Sequence, residues 1–70
     1  MFILYTQLDE DKDVEIIKIG TKQECIKAAY DTYNKYGNDT SLEEIEYDLD
    51  NNRLTDFTYQ QIERYKLREV

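Results

Sequence analysis

The chain has 70 residues, with 16 carboxylates against nine bases for a formal charge of −7, one cysteine, and no histidine, proline or tryptophan. A single domain is expected, one that buries only about 60% of the surface its unfolded form exposes, so its core is small. With Cys25 alone and no histidine, neither an intramolecular disulfide nor a Cys/His zinc site can brace that core, which leaves a second subunit or a larger partner as the remaining support.

Phe2, Leu4, Thr6 and Leu8 alternate with Ile3, Tyr5 and Gln7, and Val14 to Ile19 is rich in β-branched residues, so two strands are predicted. Asp9 to Asp13 has the length of a hairpin loop, although no Asn-Gly or Asp-Gly pair fixes the turn type. The apolar start lacks the basic region, longer apolar stretch and cleavage site of a signal peptide. No run approaches the ~20 apolar residues that span a bilayer. A cytoplasmic protein is expected, where a free thiol is the ordinary state.

Gly20 ends the second strand, and Thr21-Lys22-Gln23-Glu24 has the form of a capping box, in which hydroxyl and carboxylate each satisfy an orphan backbone donor. Ile26, Ala29, Tyr30 and Tyr33 then make one apolar stripe, predicting a helix over 21–36 that lies across the hairpin and stops at Gly37. Ser41-Leu42-Glu43-Glu44 repeats the capping pattern, and Leu42, Ile45 and Leu49 turn inward on a second, short helix over 41–50. Ile45, Tyr47 and Leu49 also alternate as a strand would, with Asn51-Asn52 turning into a further strand from Leu54.

Beyond that point Leu54, Thr58, Ile62 and Tyr65 keep helical spacing, Thr58 to Gln61 offers another cap, and the composition favours a helix. The alternative is a third strand, because Glu63, Tyr65, Leu67 and Glu69 alternate with Arg64, Lys66 and Arg68, and a two-stranded ribbon is marginal alone. The expected fold class is α+β: an N-terminal β-hairpin packed by a helix, then a short acidic helix and a C-terminal helix or third strand.

Charge is concentrated in one segment. Between Asp39 and Asn52 stand six carboxylates and no base. On a helix, Glu43, Glu46, Tyr47 and Asp50 line one side and Glu44 and Asp48 a neighbouring one. Successive i, i+4 steps rise by about 6 Å, comparable with successive backbone phosphates, so a DNA-binding groove can accept the face as a decoy. A solvated face that maintains solubility is the competing explanation. Asp9, Glu10, Asp11, Asp13 and Glu15 form a second acidic cluster, diluted by Lys12, at the hairpin tip.

Seven tyrosines are many for this length, and tyrosine supplies interface area at little entropic cost. Tyr30 and Tyr33 fall on the core stripe, so Tyr36, Tyr47 and Tyr59 are the candidates for a partner surface. Arg64, Lys66 and Arg68 form a basic tail too small to anchor nucleic acid, and pairing with the acidic segment, within the chain or between subunits, is expected. Asp48-x-Asp50-x-Asn52 with Asp56 matches part of a calcium loop, but Arg53 replaces the turn glycine and Tyr59 the bidentate glutamate. Cys25 lies early in a helix, where the dipole can lower a thiol pKa, but with no histidine to activate it a buried or idle thiol is expected. Without histidine, a Gly-rich phosphate loop or a nucleophile elbow, no enzyme, cofactor or metal is expected, and a metal-dependent carboxylate enzyme stands as the remaining alternative.

In size, charge and lack of catalytic residues the profile resembles the small acidic inhibitors of phages and mobile elements, among them DNA mimics and anti-CRISPR proteins. The likeness rests on no motif. It implies that Glu43, Glu44, Glu46, Asp48 and Asp50 occupy a basic nucleic-acid channel in a protein partner, with tyrosines adding contact area. The rival expectation is a homodimeric structural or regulatory module whose acidity is only solvation.

Overall fold

Six elements follow one another in a computed structural model that describes residues 1–8, 13–35, 37–58 and 61–70, with Thr58 described by its backbone alone. Strands β1 (Phe2–Leu8) and β2 (Val14–Gly20) precede helices α1 (Lys22–Asn34) and α2 (Leu42–Asp50), and strands β3 (Thr55–Thr58) and β4 (Gln61–Glu69) complete the chain. All pairings are antiparallel, in the order β2-β1-β4-β3. The α+β class and the N-terminal hairpin are therefore as expected.

The helix favoured after Leu54 does not form. Its apparent cap residues Thr58 and Gln61 are partners across the β3–β4 ladder, and the alternating set Glu63, Tyr65, Leu67 and Glu69 marks one side of β4. Tertiary pairing overrides local propensity here: β1 has an unpaired edge after the first hairpin, and β4 fills it along seven residue pairs from Phe2↔Glu69 to Leu8↔Glu63. The C-terminal strand is thus an interior one, flanked by β1 and β3, rather than an edge.

Both helices cover one face of the sheet. Leu4 and Thr6 of β1 are buried there, as are Tyr65 of β4 and Leu54 just before β3. From α1 come Cys25, Ile26 and Ala29, and from α2 Ile45 and Leu49. Tyr33 meets Tyr65 edge to face, with ring centroids 5.8 Å apart and planes at 84°, a geometry aromatic pairs favour beyond simple burial.

Caps set the helix ends. At Thr21 both halves of the capping box are present, Thr21 N–H donating to Glu24 Oε1 (2.9 Å) and Glu24 N–H to Thr21 Oγ1 (3.1 Å). The α1 helix ends at Asn34 with Lys35 as its cap, two residues short of the predicted end, and Gly37 takes a positive φ of 93° beyond it. Reciprocal bonds between Asn34 and Thr40 then clamp the interhelix loop, Asn34 Nδ2 donating to Thr40 O and Thr40 N–H to Asn34 Oδ1.

Candidate functional site

The acidic segment is ordered from its own sequence outward. The Ser41 hydroxyl accepts from Glu44 N–H (3.2 Å) to start α2, with Glu43 and Glu44 in the first turn where the helix dipole favours negative charge. Ile45 and Leu49 are buried and fix which side faces the core. Asn52 ends the helix in the left-handed region at φ 55°, while Asn52 N–H donates to Leu49 O and Arg53 N–H to Asp48 O (2.7 Å). This is a Schellman closure with asparagine in the usual place of glycine.

The predicted site residues separate into distinct groups. Glu43, Glu44, Tyr47 and Asp50 are exposed, and Glu46 and Asp48 are half-buried. Leu42, predicted to face inward, is 45% exposed because it opens the helix ahead of the core contact. Asp50 Oδ1 lies 3.3 Å from Lys22 Nζ, tying α2 to α1 and partly neutralising one end of the ladder. Asp48 and Asp50 belong to a helix, so the partial calcium loop is not built as a loop. Asp13 is exposed before β2; Asp9, Asp11, Tyr36 and Tyr59 lie outside the described residues.

The acidic surface extends beyond α2. Asp56 and Glu63 are cross-strand partners, and Glu63 stands opposite Leu8 and Glu15 opposite Thr6, which puts all three carboxylates on the helix-covered side of the sheet. Burial holds the Glu63 carboxyl above its usual range, and the charges of Asp56 and Glu15 push it further. Tyr33 is raised first by burial, then by Asp56 and Asp48. Glu15, Glu63, Asp56 and Asp48 thus link the end of the first hairpin to α2 electrostatically. Asp56, named above only for the partial calcium loop, and Glu63, named only for its alternation, were missed as surface partners because their side of the sheet depends on strand register; alternation through β4 was the available signal.

Neighbouring polar groups hold this surface in place. Asn38 Nδ2 donates to Asp56 Oδ2 (3.3 Å) and to Tyr33 O (3.0 Å), joining the interhelix loop to β3. Asp56 Oδ1 also accepts from Phe57 N–H at 2.7 Å.

No family model, curated protein or solved structure matches the chain.

Other candidate groups fall elsewhere. Cys25 is fully buried, as expected of a thiol with no histidine to activate it, its Sγ 3.6 Å from Phe2 O and 3.8 Å from Lys18 O, and desolvation raises its pKa. Among the described residues, no three His, Cys, Asp or Glu side chains are gathered so as to hold a metal ion, and no helix is long and apolar enough to cross a membrane. Lys66 and Arg68 lie on the sheet face away from α2, which turns these two bases of the tail away from the acidic helix of their own chain. What the carboxylate side offers chemically is a fixed array of acceptors for guanidinium and ammonium groups.

Proposed function

We propose that this chain is a non-catalytic protein-binding module that inhibits a nucleic-acid-binding protein, such as a nuclease of a defence system, by laying its carboxylate side into a basic groove. The observation that carries the reading is the Asp56–Glu63 pair together with α2. Carboxylates kept only for solubility have no reason to stand half-buried and opposite one another, where like charges are unfavourable. Glu43, Glu44, Glu46 and Tyr47 would make the first contacts, with Asp48, Asp56 and Glu63 extending the surface. Electrostatic complementarity of this kind speeds encounter and excludes wrong partners. The buried, unpaired Cys25 accords with work in the cytoplasm.

Affinity capture with the wild-type chain, followed by displacement with duplex DNA, tests the proposal. Nucleic-acid-binding proteins that are released by DNA are the expected catch, and they are lost with the Glu43→Lys/Glu44→Lys/Glu46→Lys variant at unchanged circular dichroism. Partners indifferent to both DNA and charge reversal would contradict it. The homodimer alternative predicts a species of twice the 8.5 kDa chain mass by light scattering, insensitive to those reversals.

A further inference from the structure

The sheet face turned away from the helices carries charge opposite to the rest of the molecule. Burial of Leu4 and Thr6 under the helices sends Ile3, Tyr5 and Gln7 of β1 to the other side. The register adds Val14, Ile16 and Ile19 from β2 and Arg64, Lys66 and Arg68 from β4. By the same register the four strand carboxylates, Glu15, Asp56, Glu63 and Glu69, all fall on the helix side. On a chain of net charge −7, one face of the sheet therefore has three bases and no strand acid.

Among the described residues, this face is also apolar and uncovered. Val14, Ile16 and Ile19 are 51%, 55% and 50% exposed, and Phe57, on the same face at the far edge, is 73% exposed. Ile3, Tyr5, Val14, Ile16 and Arg68 line one shallow hollow together. A contiguous apolar patch of this kind marks an interaction surface, and a sheet covered on one side only can accept a further layer on the other.

Charge decides what covers it. In a face-to-face second copy, the basic residues of interior strand β4 would meet their own counterparts at the centre of the interface, with no strand carboxylate on either side to separate them. Nucleic acid would meet isoleucines around three bases and be repelled by the net charge. An acidic segment with an apolar side matches both features.

We propose that the open sheet face is a docking site for an acidic amphipathic segment of a partner protein, whose apolar side covers Ile3, Ile16 and Ile19 while its carboxylates meet Lys66 and Arg68. The segment lies across the sheet as a third layer, in the manner of an amphipathic helix in a groove. The site is on the side opposite α2, so it is independent of the inhibitor reading and leaves the carboxylate surface free.

The test titrates the 15N-labelled full chain with a synthetic peptide of about 18 residues, leucine and glutamate at helical spacing, followed by amide shifts up to about 1 mM peptide. The peptide is expected to move β1 and β4 amides and leave those of α2 in place. Lys66→Glu/Arg68→Glu should weaken binding at least about tenfold and transfer preference to the same peptide with lysine for glutamate. If that variant does not fold, Lys66→Gln/Arg68→Gln supplies the weakening. No binding, shifts centred on α2, equal affinity for the lysine peptide, tighter binding of a single-stranded oligonucleotide, or self-association that protects β1 and β4 would each overturn the proposal.

Discussion

Asp56 of β3 and Glu63 of β4 stand directly opposite one another across the antiparallel ladder, two carboxylates where opposite charges would stabilise and like charges do not. The pair is asymmetric. Asp56 accepts from Asn38 Nδ2 and Phe57 N–H, whereas Glu63 is held above the ordinary 4.5, by burial and then by the charges of Asp56 and Glu15.

A carboxyl whose folded pKa is raised contributes stability that is fully present below its unfolded value and lost as pH rises through the folded one. For Glu63, lowering the pH from neutrality toward 4.5 therefore stabilises the fold. Glu63→Gln should add about 0.5 kcal/mol at neutral pH after allowance for screening, or ~2–4 °C in Tm, and flatten that pH limb. Thermal melts across this range check it; parallel pH profiles for the two proteins would contradict it.

Gly20 leaves room for the Glu24 carboxylate to reach back to Thr21. A Cβ at Gly20 would lie 2.8 Å from Glu24 Oε1, the atom that accepts from Thr21 N–H. Gly20→Ala and Glu24→Ala should lower Tm to a similar extent, and the double variant little further, because both break the same half of the capping box. Additive losses would show that the two act separately. Glu24 responds to pH in the sense opposite to Glu63. The Thr21 backbone bond lowers its pKa, so its contribution is present above 4.5 and lost as pH falls through the lowered value.

Asn52 holds the left-handed position that closes α2. Asn52→Ala should cost about 1 kcal/mol, and Asn52→Gly should be neutral or stabilise by about 0.5 kcal/mol. Urea midpoints at constant slope measure both; equal losses in the two variants would contradict the closure described.

The elements that could be read in advance were those with local punctuation. Thr21 and Ser41 cap helices whose buried residues recur at helical spacing, and β1 and β2 alternate or are β-branched. The C-terminal third misled because Leu54, Thr58, Ile62 and Tyr65 satisfy helical spacing by coincidence. Leu54 and Tyr65 are buried for another reason, facing each other where Tyr65 N–H donates to Leu54 O (2.9 Å). The strand reading of 63–69 was available, but its decisive advantage, the open edge of β1, is a long-range property. The candidate site was legible to the same degree: α2 and its outward acids were, whereas Asp56, Glu63 and the opposed basic face required the register.

The carboxylate surface depends on two buried anchors. Ile45 is fully buried and Leu49 nearly so, and truncating either to alanine should cost about 2–5 kcal/mol, a large share of the stability of so small a domain. Chemical denaturation checks the loss. A change below about 1 kcal/mol would mean that α2 is not docked as described.

The central claim, that the carboxylate side of the helix layer recognises a basic nucleic-acid-binding surface, is tested most directly by affinity for the captured partner with Glu43 and Glu44 reversed to lysine, at low and high salt. The account predicts at least about tenfold weaker binding from the reversal, and a steep loss for the wild type between about 0.05 and 0.5 M salt as the Debye length contracts. Affinity unchanged by both, in a variant that melts like the wild type, would contradict it.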